Sequence, residues 1–373
     1  MDSNIALLKL PGPAFTVLKD RSQVVVLSCL LLCVYSSLTA AEAKPPHESW
    51  TFTLHLENDL FASTDRFYTN GVKASWVSPE LQWFEDLAWM QKPGIIQATL
   101  NTFIDLLPFS EDKSRQRNIA FSAGQKMYTP QDISRRDLVV EDRPYGGWLY
   151  GSTAFHSKTY RRLDTFEIQL GFTGDFSLAE QAQDFVHDLR NIEKANGWDN
   201  QIDTEPGFAF IYDRKQRLIP RYDFHKQWGV DLIAHAGIAA GTVFSHLNGG
   251  FEFRIGWNLP TDFGTALIRP AGDTNAPTDT RDPRYRRDGS GFSFLFFGST
   301  SGRLVLRDIF LDGNTFSDSH SIDKKEWVGD FVIGASVIYK KFKLSYAQVL
   351  RTKEFAGQSS GQNFGSISLS YTY

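Results

Sequence analysis

Apolar and polar residues alternate along most of this chain with a period of two. The clearest case is the C-terminal stretch GSISLSYTY, residues 365–373. There Ile367, Leu369, Tyr371 and Tyr373 share one face, and Ser366, Ser368, Ser370 and Thr372 share the other. That period belongs to a strand with one apolar and one polar side. In 165–173, Phe166, Ile168, Leu170 and Phe172 alternate with Glu167, Gln169 and Gly171. In 50–57, Trp50, Phe52, Leu54 and Leu56 alternate with Thr51, Thr53, His55 and Glu57. The same pattern predicts twelve strands, near 50–58, 68–78, 117–127, 147–158, 163–173, 206–218, 227–240, 243–257, 291–308, 330–339, 342–351 and 363–373. A tilted strand needs roughly 9–11 residues to cross a bilayer, and these segments supply that length.

The polar face of the last strand is small and hydroxylic, as a barrel interior requires, and the chain ends on an aromatic strand. The fold class that follows is all-β: a twelve-stranded antiparallel transmembrane β-barrel of the outer membrane. The edge strand of a soluble sandwich is the alternative for that segment. An even strand count puts both termini on the periplasmic side. Parity then assigns the connections near 59–67, 128–146, 174–205, 241–242, 309–329 and 352–362 to the outside, and the long ones at 79–116 and 258–290 to the inside. Segment 81–107 has the apolar spacing of two short amphipathic helices (Leu81, Phe84, Leu87, Ala88; Ile96, Leu100, Phe103, Ile104, Leu107), lying on the inner membrane face or plugging the mouth. Segment 259–288, rich in Pro, Asp, Thr and Arg, reads as loop. There is no internal repeat beyond the hairpin rhythm and no second domain.

One run is apolar throughout: VVVLSCLLLCV, residues 24–34, preceded by Lys19 and Arg21 and followed by small residues up to Ala41-Glu42-Ala43. A charged start, a short apolar core and an A-x-A stop predict a cleaved signal peptide over 1–43. A single membrane anchor is the alternative, but the run is short for a span. Both cysteines, Cys29 and Cys33, fall in this leader, so the barrel of 44–373 would hold neither a disulfide nor a Cys-based zinc site. With no other long apolar run, a multi-spanning helical membrane protein is excluded. Aromatics reach 14%, with 30 Phe, 13 Tyr and 9 Trp, which suits a barrel with aromatic belts. Lys plus Arg is 39 against 43 Asp plus Glu, a net charge of −4, which argues against a general nucleic-acid binder.

Parity collects the candidate chemistry at the extracellular rim. The first strand ends Glu57-Asn58-Asp59, and the second begins Tyr68-Thr69-Asn70-Gly71. The third runs into Tyr128-Thr129-Pro130, with Arg135 and Arg136 beyond. The loop near 174–205 holds a polar, helix-like stretch from Leu178 to Ala195, with Asp184, His187, Asp188, Glu193 and Lys194. The oxygens of Asn58, Asp59 and Glu193 are the hard ligands that calcium takes, and neutral His187 is a candidate general base. On a continuous helix, His187 and Glu193 would stand about 120° apart, so the segment bends or the two address different partners. Asn58-Asp59 is equally a turn signal, and a loop histidine is commonly solvated.

The stretches LENDLFASTDRFYTNGVKASW (56–76), GQKMYTPQDI (124–133), EDRPYGGWLY (141–150), VHDLRNIEKANGWDNQI (186–202), RDIFLDGNTF (307–316) and FGSISLSYTY (364–373) resemble, in order, the LpxR-type lipid A deacylases of the Gram-negative outer membrane. The resemblance implies a twelve-stranded barrel that hydrolyses the 3′-linked acyloxyacyl ester of lipid A in a calcium-dependent reaction. It implies catalytic roles for Asn58 and Asp59 at the end of the first strand, for Thr69 at the start of the second, and for the loop His187 followed six positions later by Glu193. A family lysine falls on Arg135, which keeps the charge with a different donor geometry. The insertion at 79–116 departs from the family's minimal pattern.

On this reading His187 activates a water, and Ca2+ held by Asp59 and Glu193 polarises the ester carbonyl. Thr69 and Asn58 position it, and Arg135 pairs with a lipid A phosphate. The partners implied are lipid A, or lipopolysaccharide, in the membrane, and the barrel-assembly machinery during biogenesis. Two rivals remain. One is a serine-dependent, phospholipase-like acyl hydrolase, for which Ser63 and Ser122 are present but no G-x-S-x-G elbow is. The other is a porin or structural barrel without catalysis.

Overall fold

The computed structural model describes residues 48–59, 66–84, 112, 114–225, 227–265, 267–285 and 291–373. The leader expected over 1–43 and most of the two helices expected in 81–107 lie outside the described residues.

Period-two alternation produces twelve strands: β1 (Thr51–Asn58), β2 (Phe67–Val77), β3 (Gln116–Thr129), β4 (Gly146–Lys158), β5 (Arg162–Phe172), β6 (Pro206–His225), β7 (Trp228–Gly241), β8 (Phe244–Trp257), β9 (Phe292–Asp308), β10 (Trp327–Tyr339), β11 (Phe342–Arg351) and β12 (Gln362–Thr372). Each pairs antiparallel with the next, and β1 pairs with β12 in the register Thr51↔Thr372 to Asn58↔Gly365, which closes the barrel. The two largest departures from expectation are β6, which runs seven residues past 218 to His225, and β10, which starts three residues before 330. Among the described residues no helix is long and apolar enough to cross a membrane; this chain crosses with strands.

The start of β1 and the end of β12 mark the terminal mouth. The opposite mouth, where β1 ends and β2 begins, is called the far mouth. Outward-facing aromatics gather toward the terminal mouth, with ring centroids 5.0 Å apart for Phe52–Trp76, 4.7 Å for Phe342–Tyr371 and 5.5 Å for Tyr371–Tyr373. Aromatic girdles of this kind sit where hydrocarbon meets headgroups. The described start of the 79–116 insertion packs on the outward side of the wall, where Phe84 meets Phe155 edge to face at 5.4 Å.

Beside β1 and β12 the lumen is lined by small hydroxyls that pair across the seam, Thr51 with Thr372 at 3.1 Å and Thr53 with Ser370 at 3.0 Å. The rest of the lumen is charged, and the β8–β9 connection fills it. Segment 259–285 has almost no regular structure, as its composition predicts, yet it does not hang outside the barrel. Leu259, Asp262, Phe263, Ile268, Ala271, Asp273 and Asn275 are all buried. Asp262 accepts from Arg254 of β8 at 2.7 Å, Lys343 of β11 at 2.7 Å and Arg284 of the segment itself at 3.0 Å. Asp273 pairs with Lys73 of β2 at 2.8 Å. Asn275 donates to Ser370 of β12 at 2.9 Å. The backbone N–H groups of Ile268 and Ala271 donate to Glu57 of β1 and Glu167 of β5 at 2.9 and 2.6 Å. The segment is therefore a plug tied to strands all round the wall. Cavities of 60 and 120 Å³ remain beside it.

Replacing Asp262 by alanine takes the carboxylate from buried Lys343 and leaves Arg254 and Arg284 to Asp231 and Asp282. Removing one partner from a buried ion network costs about 3–5 kcal/mol. The expected outcome is a lower urea midpoint for loss of the heat-modifiable barrel form, with Asp262→Asn between alanine and wild type. Equal midpoints for all three would show that the plug is not held by this charge.

Candidate active site on the outward face of the far rim

The outward positions of β1 to β3 are apolar for most of their length and turn polar near the far mouth. On β1 they run Phe52, Leu54, Leu56, Asn58; on β2, from the terminal end, Trp76, Ala74, Val72, Asn70; on β3, Phe121, Ala123, Gln125, Met127, Thr129. Asn58 lies directly opposite Asn70 in register. Between Tyr68 and Asn70 the β2–β3 register slips, and Thr69 is the bulged residue. A bulge re-aims a side chain and bends its strand. Here the Thr69 hydroxyl meets that of Thr129 at 2.7 Å. Just before the bulge, Phe67 has φ 68°, a left-handed conformation that costs an aromatic residue energy. Its ring is buried against Phe355 and Leu311, which holds the turn. Asp59 is fully buried and accepts from the N–H of Arg66 at 2.6 Å.

The expected helix forms as α1 (Ala179–Arg190), shorter than 178–195, and it lies on the outward side of β3 and β4. Ala179 packs with Met127, Tyr145 and Trp198. The side-chain amide of Gln125 donates to the carbonyl of Ser177 at 2.7 Å. A side chain at Gly147 would stand 2.1 Å from the Ser177 hydroxyl and 2.5 Å from the Cβ of Ala179, so only glycine admits the helix this close. The buried positions Ala179, Gln183 and His187 follow one another by four residues, hence down one helix face.

The helix ends at Asn191, which takes the left-handed C-cap conformation at φ 54°. The chain therefore bends between His187 and Glu193, as their spacing requires. The contact made is with backbone: the His187 Nδ1 lies 2.6 Å from the carbonyl oxygen of Glu193. A carbonyl can only accept, so Nδ1 carries the proton and the lone pair of the neutral ring is on Nε2. The Glu193 side chain is exposed. Lys194 bridges Asp184 and Asp188 at 3.1 and 3.0 Å, and its hydrogen bonds to Asp188 and Asp184 hold its ammonium pKa up.

Arg135 is exposed on the β3–β4 connection, which packs against the chain beyond Glu193. Its neighbours' carbonyls, of Ser134 and Arg136, accept from Asn196 at 3.1 Å and Asn200 at 2.7 Å. The structure thus places Asn58, Asp59, Thr69, His187, Glu193 and Arg135 at one mouth. Three contacts organise them: Thr69 with Thr129, Asp59 with Arg66, and His187 with the Glu193 carbonyl.

Calcium takes six to eight oxygens, drawn from carboxylates, carbonyls, amides and water. Asp59 beside Asn58 suits part of that set. Among the described residues no three His, Cys, Asp or Glu side chains converge, so the remaining ligands would be amide, hydroxyl or backbone oxygens and water.

Reasoning from sequence put Thr129 and Asn70 at the rim without giving either a role, and it missed Gly147. The doublet Gly146-Gly147 at the start of a strand was the available signal for Gly147, since glycine in a strand can mark the close approach of another segment. Nothing in the sequence announced the bulge that brings Thr69 to Thr129.

The family described as Outer membrane protein LpxR matches residues 25–373 of the chain. LpxR from Salmonella typhimurium superimposes with a TM-score of 0.66 at 15% identity, over 86% of this chain and 99% of that one, and shares its fold. The translocator domain of the autotransporter NalP from Neisseria meningitidis gives a TM-score of 0.36 at 7% identity, over 94% and 96% of the two chains. No curated protein matches.

Gly147→Val should lift α1 from the wall. The expected outcome is faster amide exchange over 178–190 with unchanged protection in the strands, measured by hydrogen exchange on the folded barrel. Unchanged exchange in the helix would show that Gly147 does not set its seat.

Proposed function

The chain belongs to the outer membrane protein LpxR family, and on that premise we propose that it is a carboxylic ester hydrolase that removes the 3′-linked acyloxyacyl group of lipid A. The observation that carries this reading is His187, buried on a helix that rests against the outward wall, with Nδ1–H pointing at a backbone carbonyl. A base on that side of the wall faces the leaflet, so the glycolipid need not enter the lumen.

Nε2 of His187 takes a proton from water as the water oxygen bonds to the ester carbonyl carbon. When the tetrahedral intermediate collapses, the C–O bond to the sugar breaks and the imidazolium returns the proton to the departing alkoxide. The Glu193 carbonyl keeps the ring in the required tautomer. Thr69 and Asn58 donate to the ester oxygens or position them. The exposed Arg135 guanidinium suits a lipid A phosphate, to which it can donate two parallel hydrogen bonds. Calcium would rest on Asp59, Asn58 and backbone oxygens, and when bound it would supply positive charge for the developing oxyanion. Glu193 enters this proposal through its carbonyl rather than its carboxylate.

The test is mass spectrometry of lipid A from cells making the wild type or His187→Ala, with and without a calcium chelator. The wild type should remove one acyloxyacyl unit, and the variant none, with both proteins keeping the heat-modifiable form. Intact lipid A in both strains would sink the reaction. Equal deacylation by the variant would remove His187 as base, and activity undiminished by chelator would remove calcium.

A further inference from the structure

α1 has its polarity inverted. Its buried side toward the barrel includes Gln183 and His187, while Phe185 at 68% exposure and Leu189 at 50% face away from the protein, and the left-handed N-cap residue before the helix, Leu178, is 51% exposed. At about 100° per residue, Phe185 and Leu189 stand about 40° apart. Glu180, Asp184 and Asp188 occupy a separate sector, about 120° away. Lys194 bridges the last two acids. Partial burial, with the nearby Asp184, Asp199 and Asp175 adding to it, pushes the Glu180 carboxyl up. One exposed face of the helix is thus acidic and the other is apolar.

The apolar sector is not an isolated patch. It continues through Phe176, and the Phe176 ring meets the ring of Phe172 edge to face with centroids 5.9 Å apart. Phe172 ends β5, whose outward residues include Leu170 at 60% exposure. Those outward residues belong to the belt that the bilayer covers in a transmembrane barrel. Past the helix, Ile192 is also partly exposed. A stripe joined to a lipid-covered belt, on a helix seated against the outside of the wall, has the fatty acyl chains of the outer leaflet as its neighbours.

We propose that α1 is an interfacial helix: Phe176, Leu178, Phe185 and Leu189 insert among outer-leaflet acyl chains, while Glu180, Asp184 and Asp188 stay at the headgroup level. Such helices lie in the membrane plane with a wet polar face and a buried apolar one. The seat sets the depth of His187, which shares the helix, near the level where acyl chains join their headgroups. The inference rests on the barrel and on the helix's place outside it, not on hydrolysis.

The test uses the full chain with Cys29 and Cys33 replaced by serine, reconstituted into phosphatidylcholine vesicles. Phe185→Cys, Leu189→Cys, Gln181→Cys and Asp188→Cys are each labelled with an environment-sensitive fluorophore. Spin-labelled acyl chains should quench the label at 185 and 189 severalfold more than at 181 and 188, and aqueous iodide should show the reverse order. Equal iodide quenching at all four positions would place the helix in water and overturn the proposal. Protection of 185 and 189 from both quenchers would overturn it as well, because a protein surface, such as a second copy, would then cover the stripe. The heat-modifiable form of each variant reports folding independently, and neither quencher reads deacylation. A correct depth profile in a protein that leaves lipid A intact would therefore overturn the hydrolase reading alone.

Discussion

Charge that faces the lumen of this barrel has to find opposite charge there. A carboxylate or guanidinium removed from water loses several kcal/mol of hydration, and only close, hydrogen-bonded partners offset that loss. The wall supplies some pairs itself: Arg217 and Arg254 both donate to Asp231, and Arg351 donates to Asp330 at 2.7 Å. For Lys73, Lys343 and the second side of Arg254 the counter-charge comes from the plug, as Asp273 and Asp262. The plug is in turn held where Glu57 and Glu167 accept its backbone N–H groups. Wall and plug each leave buried charge unmatched without the other, so the β8–β9 connection folds as part of the barrel. A lumen filled in this way gives a bulky amphiphile little room. Chemistry on such a substrate belongs on the outside of the wall.

The outside has its own constraint. A barrel surface in contact with hydrocarbon must be apolar, since charged groups there are strongly destabilising. On β1, β2 and β3 that rule holds up to Leu56, Val72 and Ala123, and then gives way to Asn58, Asn70 and Gln125. The polar positions are tolerated because protein replaces lipid beside them. Gln125 is bonded to the turn that leads into α1, and Asn58 is almost fully buried. The helix cover and the polar patch therefore explain one another. The strain at Phe67 belongs to the same arrangement, because it precedes the bulge that takes Thr69 out of the ladder and puts it on Thr129.

The strands were legible in the sequence because two different solvents act on the two faces of each one. Lipid selects Ile367, Leu369 and Tyr371, the lumen selects Ser366, Ser368 and Ser370, and the period of two follows. Segment 259–285 carries no such period. Its contacts are made by single side chains and N–H groups reaching different strands, so Pro, Asp, Thr and Arg read as loop although the loop is buried. The C-terminal end of β6 was lost for a related reason. Residues 219–225 pair with β7 through three register shifts, and a slip of one residue exchanges the two faces. Parity placed Asn58, Thr69 and His187 at one mouth. It could not show that α1 would lie outside the wall, because that depends on Gly147 and on the packing of Ala179 with Met127.

The same limit applies to the pair His187 and Glu193. In the sequence Glu193 reads as a calcium ligand about 120° from His187 on a continuous helix, yet the contact made is between the ring and the carbonyl of residue 193, delivered by the left-handed turn at Asn191. The difference matters chemically. A carboxylate behind Nδ1 would stabilise the protonated ring and raise its pKa. A neutral carbonyl fixes the same tautomer and orientation while adding only a dipole. On the proposed reading, in which His187 is the base, the carbonyl at Nδ1 orients the ring and adds no opposite charge of its own to the imidazolium. Specificity at position 193 would then reside in the backbone turn, made at 191 by asparagine, which after glycine takes the left-handed conformation most readily.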